Sequence, residues 1–286
     1  MNGGLKNTIK KVSEHMKVFS ISWKEIYDNR KGTIFYGLLM FLFCLMMASM
    51  FDPTLFEGME ELFKSYPEAV QEMVGGQIAL SEPGGFIHTY LITFSWMYIG
   101  IYLMLKSSQD IPKEIDNKTI DLILSKPIKR WEFFTGKYFK HVSSAFIITL
   151  FVGLGIFLGV FISPGMNPAE IYYAEIAYVL VWNFVFLVSL ISTAYFFSAF
   201  LNPRMSLTMS FAMLIIFYFL GSFSGLFPEE IQGIKYFSVF GYFQTGDLLV
   251  DRIWDYVFLH MIVLIVYSMV MTMIAGIIFN KRDIPV

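Results

Sequence analysis

Residues 110–141 read DIPKEIDNKTIDLILSKPIKRWEFFTGKYFKH. The stretch is polar, yet studded with aromatic and aliphatic side chains, and a long apolar run lies on each side of it. It carries Lys113, Lys118, Lys126, Lys129, Arg130, Lys137 and Lys140, interspersed with Glu114, Asp116, Asp121 and Glu132. We read it as a folded loop between two membrane spans, able to take force from another protein and pass it into the bilayer.

The rest of the chain supports a polytopic membrane protein. Of 286 residues, 56% are hydrophobic, 18% aromatic and 15% charged, with a mean hydropathy of +0.59. Soluble domains carry about 25% charged residues. Outward from the loop, six apolar spans are expected at about 34–51, 86–105, 142–162, 172–201, 205–227 and 256–279. The first has 18 apolar or small residues, about 27 Å at 1.5 Å per residue, which just crosses a hydrocarbon core. The fourth is too long to stand upright. The fold class is therefore all-α: six transmembrane helices, an N-terminal amphipathic interfacial helix and a cytoplasmic coupling loop at 106–141. No cleavable signal is expected, because the basic first 33 residues lack an apolar core.

Residues 1–12 are expected to be disordered. From Val18 the pattern turns amphipathic: Phe19, Trp23 and Ile26 fall at i, i+4 and i+7, which suits a helix over 18–31 lying in the membrane interface. Beyond the first span, Leu55, Phe56, Met59, Leu62 and Phe63 repeat at helical spacing in an acidic segment, predicting a short outer helix. Gly155 and Gly159 form a GxxxG pair, read as close packing between neighbouring spans in preference to a dimer contact. Cys44 lies in an apolar run and reads as a packing residue.

Orientation follows from basic residues. With both termini inside, 18 of the 21 Lys and Arg fall on the inner side, leaving Lys64, Lys235 and Arg252 outside. This places 110–141 in the cytoplasm of a cell-membrane protein whose short C-terminal segment, 280–286, is also cytoplasmic.

Within the loop, Ile111, Ile115, Ile120, Leu122 and Ile123 supply one apolar helical face. Ser125-Lys126-Pro127 breaks that helix, and Pro127 is placed to start the next. There Trp131, Phe134 and Tyr138 share a face at i, i+3 and i+7, while Lys129, Arg130, Lys137 and Lys140 can face headgroups or a partner. A basic loop that touches only anionic lipid is the plainer alternative.

The order EIDNKTIDLILSKPIKRWEFFTGK resembles the loop between spans 2 and 3 of permeases of the type-2 ABC exporter superfamily. The matching residues are Glu114, Lys118, Thr119, Ile120, Asp121, Leu122, Leu124, Ser125, Pro127, Ile128, Arg130, Gly136 and Lys137. The family's usual Gly before the Thr is Lys118 here, which puts the local turn in question. The resemblance implies that the corner around Lys126 is a coupling helix docking in an ATPase groove. It also implies that Glu114, Thr119, Asp121, Leu124, Ser125, Lys126, Pro127, Arg130, Gly136 and Lys137 serve that contact. It implies two permeases, identical or paired with a related chain, and two ABC ATPase subunits. A short re-entrant helical hairpin within 228–255 is expected on the same ground; composition alone gives an aromatic-rich interfacial segment.

The chain has no phosphate-binding loop, since Gly136-Lys137 is followed by Tyr138 and lacks the upstream Gly. ATP and Mg are thus expected on the partner ATPase, with no cofactor, metal or catalytic residue in this chain. The histidines, at 15, 88, 141 and 260, lack metal-ligand spacing. Asn183, Ser189 and Thr193, with Ser192 and Ser198, run along the fourth span; they could line a pathway or hydrogen-bond between helices. Ionisable groups are scarce inside the spans, which argues against an ion-coupled carrier or channel. It suits export of an amphipathic or hydrophobic cargo, such as an antimicrobial or cytolytic peptide or a lipid-like molecule. A non-transporting scaffold or sensor that docks an ATPase is the remaining reading.

Overall fold

The computed structural model describes residues 2–67, 71, 79–119 and 128–283. Side chains are described from Ser22 onward, apart from Glu170 and Glu229. Among the described residues there is no strand. The elements are α1 (Asn2–Ser49), α2 (Pro53–Lys64), α3 (Pro83–Asp116), α4 (Arg130–Ile162), α5 (Tyr173–Ser198), α6 (Pro203–Ser222), α7 (Thr245–Leu249) and α8 (Val257–Lys281). Six of them, α1 from Ser22 together with α3, α4, α5, α6 and α8, are long and apolar enough to cross a membrane.

Where the sequence suggests disorder, then a separate interfacial helix, then a span, the backbone of α1 is one continuous helix. Only Gly32-Thr33 separates the two patterns. One helical glycine weakens a helix by about 1 kcal/mol, and Thr33 is fixed by its bonding to Asn29 and Ser144. The 106–141 loop is likewise mostly helix: α3 runs on to Asp116 and α4 starts at Arg130, so only residues 117–129 lie outside them.

The most enclosed span is α5, with 72% of its most apolar window buried, against 22% for α6 and α8. It packs against α3, α4, α6 and α8, and its Trp182, Phe186, Leu190 and Tyr195 belong to the buried core. α1 lies along α4. A Cβ at Gly155 would sit 2.5 Å from the Phe41 carbonyl oxygen, and one at Gly159 would sit 2.5 Å from Ala48 Cβ. The GxxxG pair therefore serves intrachain packing, with Cys44 fully buried beside it.

α3 is not a plain span. The half remote from residues 117–129 winds as π-helix over Ile87–Thr93 and Trp96–Gly100, with a break at Phe94 (φ −91, ψ 9). Side-chain hydroxyls add donors to its carbonyls. Tyr98 donates to the Leu91 carbonyl, Tyr36 of α1 to the Tyr98 carbonyl, and Thr93 to the His88 carbonyl.

The segment after α6 folds back on the end of the bundle remote from residues 117–129. It is built of 3₁₀ turns at Ser224–Leu226, Glu229–Phe237 and Val239–Tyr242, then α7, in place of the expected helical hairpin. Pro228, Gly233 and Gly241 interrupt it too often for two helices. Trp182 Nε1 donates to the Tyr242 carbonyl at 3.0 Å, and Phe186 stacks on Phe243 at 4.1 Å.

At this same end α2 is anchored through Glu60, whose carboxylate accepts Ser81 N–H (2.9 Å) and Ser81 O–H and pairs with Lys64. Partial burial works against the charge, but these donors outweigh it and hold the carboxyl below its ordinary value of 4.5. A depressed folded pKa stabilises the docked helix above that ordinary value, and the contribution is lost as pH falls through the lower folded one. Amide protection over 53–64, measured relative to the intrinsic exchange rate at each pH, should therefore fall on acidification, and Glu60→Gln should flatten the response. Separately, Gly159→Leu should lower thermal stability by about 1–3 kcal/mol or more through overpacking against α1, read as a lower melting temperature in detergent.

Candidate functional site: a charge cluster beneath the basic loop

The end of α3 and the start of α4, which flank the basic loop, meet α1 around a set of ionisable side chains. Lys137 Nζ lies 2.6 Å from Glu114 Oε1, 3.3 Å from Asp110 Oδ1 and 3.3 Å from Glu25 Oε2. Lys140 Nζ lies 2.5 Å from Asp110 Oδ2 and 3.2 Å from Glu25 Oε2. His141 Nε2 is 2.9 Å from Asp110 Oδ2. Lys137 is 1% exposed, His141 3% and Lys140 8%. Three carboxylates from two helices thus enclose two ammonium groups and an imidazole from a third.

Helical periodicity builds this. Lys137, Lys140 and Ser144 stand at i, i+3 and i+7 on α4, and Glu25, Asn29 and Thr33 at i, i+4 and i+8 on α1. Asn29 Nδ2 donates to Ser144 Oγ at 3.2 Å, and Thr33 Oγ1 lies 3.1 Å from the same hydroxyl. On α3, Asp110 and Glu114 are one turn apart. The sequence reading directed Lys137 and Lys140 toward headgroups or a partner. The structure corrects this: both turn inward, because facing carboxylates compensate their desolvation where lipid would not. Glu25, Asp110 and His141 went unrecognised, although the polar i, i+4 spacing of Glu25, Asn29 and Thr33 was there to be read.

The remaining expected residues are distributed around this cluster. α3 ends in a Schellman cap: Lys118 N–H donates to Ile115 O at 3.1 Å and Thr119 N–H to Glu114 O at 3.0 Å. Lys118 takes φ +56, so the turn that a glycine would make easily is made here by a lysine. Thr119 is exposed and also bonds Glu114 O through its hydroxyl. Asp121, Leu124, Ser125, Lys126 and Pro127 lie outside the described residues, as do Ile120, Leu122 and Ile123. Glu132 accepts the Lys129 N–H at 2.9 Å and caps α4. Arg130 donates to the Arg282 carbonyl at 2.7 Å, and Arg282 to the Ala199 carbonyl at 3.1 Å, which ties α4, α8 and α5 together at this end. Gly136 is buried on α4. Of the aromatic face, Phe134 is buried and Trp131 exposed. On α1, Trp23 is exposed and Ile26 half-buried; Phe19 has no described side chain.

A sequence profile described as "ABC-2 family transporter protein" matches residues 19–284, nearly the whole chain. The chain belongs to this family. No curated protein matches it in sequence. As an ABC-2 permease it is the transmembrane subunit of an ABC transporter, a kind of subunit that works with a separate ABC ATPase. The charge cluster of this permease lies at the base of the loop carrying the family-like residues. Among the described residues, no group of His, Cys, Asp or Glu could hold a metal ion.

The polar residues of α5 are bonded within the bundle. Ser189 donates to Phe186 O at 2.7 Å; Thr193 donates to Ser189 O at 2.9 Å and lies 2.8 Å from Tyr267 OH of α8. Asn183 Oδ1 accepts from Ser95 at 2.6 Å, at the α3 break, while its Nδ2 is buried without a hydrogen-bond partner.

The positive φ of Lys118 has a measurable consequence. Lys118→Gly should stabilise the permease by about 1 kcal/mol, and Lys118→Val should destabilise it by at least as much, both read by thermal unfolding.

Proposed function

We propose that this permease is the membrane half of an ATP-driven exporter, with both termini and residues 117–129 in the cytoplasm. It pairs with a second copy or a related permease and is driven by two ATPase subunits, which bind the ATP and Mg. The contact is the corner at Ser125-Lys126-Pro127, flanked by Thr119, Asp121, Leu124 and Arg130. The cargo is amphipathic or hydrophobic, a peptide or a lipid-like molecule.

The observation that carries this reading is the direct continuity of the loop with α3 and α4, whose ends are clamped to each other and to α1 by Lys137. A push on a loop hinged on flexible tethers dissipates. One delivered to two capped helix ends moves three helices together. Glu114 and Lys137, a 2.6 Å pair, act in this scheme as positioning residues behind the contact. The basic loop face and the scarcity of charge elsewhere in the spans agree with cytoplasmic docking and an apolar cargo.

Co-purification with the ABC ATPase and ATP-dependent accumulation of a fluorescent amphipathic peptide inside inside-out vesicles, where cellular efflux is read as uptake, test the scheme. Lys126→Glu with Pro127→Ala should abolish ATPase retention. Lys137→Met should keep the ATPase bound yet lower efflux per ATP hydrolysed about tenfold or more, with Lys137→Arg largely restoring it. Efflux per ATP unaffected by Lys137→Met would refute the proposed coupling role.

A further inference from the structure

A long groove of about 790 Å³ opens between α4, α5 and α8. Its walls are Phe134 and Tyr138 of α4, Val188 of α5, and Met269, Met273 and Ile277 of α8. The volume is that of a site for a drug-sized molecule, about 300–1,000 Å³. Its hydroxyls turn mostly away from the space: Thr135 donates to Trp131 O, Ser268 to Leu264 O, and Tyr138 lies 2.8 Å from Ser192 Oγ. The body of the groove therefore offers almost nothing to a polar ligand and suits alkyl chains.

One end of the groove is different. It reaches Trp131 and Asn280, which in the chain adjoin Arg130 and the pair Lys281-Arg282. The 2.7 Å bond from Arg130 to the Arg282 carbonyl brings the start of α4 and the end of α8 together there. Both arginines contact backbone carbonyls, and among the described residues neither they nor Lys281 forms an ion pair. Of the carboxylates nearest to them in sequence, Glu132 is buried and bonded to the Lys129 amide, and Asp283 follows Arg282. An apolar trough that ends at a tryptophan, with three cations on the adjoining helix ends, matches one kind of molecule, in which long alkyl chains carry an anionic head.

We propose that this groove is a binding site for an anionic phospholipid, its acyl chain along α8 and its phosphate at Arg130, Lys281 and Arg282. On the topology proposed above the lipid belongs to the inner leaflet, but the site itself depends on neither that topology nor an ATPase. A second copy of the chain fits less well. An isologous contact over this face would set each cationic rim against its equal, whereas a phosphate neutralises the rim.

The full chain, purified from vesicles of phosphatidylcholine and phosphatidylglycerol in equal amounts, tests this through the lipid it retains, counted by mass spectrometry. The wild type should retain phosphatidylglycerol in clear preference. Lys281→Gln and Arg282→Gln should each cut that retention about five-fold. Gly276→Leu, which extends into the groove from a position where an added Cβ meets only Phe134 ring carbons at 3.4 and 3.6 Å, should lower retention of both lipids. Should that variant misfold, brominated lipids decide on otherwise native protein. Brominated phosphatidylglycerol should quench the wild type more than the phosphatidylcholine analogue does, and Trp131→Phe should remove the difference. Equal retention of the two lipids, unaltered retention in the charge variants, or disulfide-linked dimers of Met273→Cys in membranes would overturn the proposal.

Discussion

Lys137 is the side chain on which the rest of this molecule depends. Removing an ammonium group from water costs several kcal/mol, and only good geometry with opposite charges recovers it. Here one ammonium meets a carboxylate from α1 and two from α3, with Lys140 sharing two of the three. The result is specific rather than merely stabilising. Apolar packing fixes part of the register among α1, α3 and α4, most sharply where Gly155 and Gly159 of α4 meet α1, but it does not tie α3 to both. The cluster does: a shift of one turn would leave Lys137 buried without its partners, a penalty of about 3–5 kcal/mol.

That constraint explains the division of the helices into two halves. Near residues 117–129, α3 is regular α-helix, capped by a Schellman turn and clamped by charge. Toward the remote end it becomes π-helical, with three of its carbonyls also accepting from the hydroxyls of Tyr36, Tyr98 and Thr93. Hydroxyl bonds of this kind can exchange partners without melting the helix. The two modes adjoin at Gly100 and Ile101, and the π-helical part is itself interrupted at Phe94 and Ser95, where Asn183 of α5 is bonded through its oxygen only.

The six spans were legible because apolar length is a property of composition, and the GxxxG pair because small residues at four-residue spacing let helices approach closely, although only the fold shows that the partner is α1. The helical boundaries around the loop were not. Polar side chains at 106–116 and 130–141 look like water-facing loop, and only the tertiary fold shows that α1 supplies Glu25 to cover them. Lys137 and Lys140 misled for the same reason, since a buried and a solvated lysine are identical in sequence. The π-helical turns left no sequence signal, because they arise from how α3 meets Tyr36 of α1 and Asn183 of α5.

Lys118 joins the two kinds of information. The resemblance to ABC-2 permeases expects glycine there, and a lysine puts the turn in question. The backbone answers with φ +56 and an intact Schellman pattern. The turn is therefore dictated by its surroundings, since a lysine would not choose it. On one side stands α3, fixed by Asp110 and Glu114; on the other, α4 begins at Arg130, fixed by Lys137. The chain must leave α3 sharply to arrive there. A strained residue survives where its neighbours over-determine its conformation, and the neighbours that do so here belong to the charge cluster. The same clamp that sets the register of three helices therefore also sets the angle at which the chain leaves α3 toward residues 120–127.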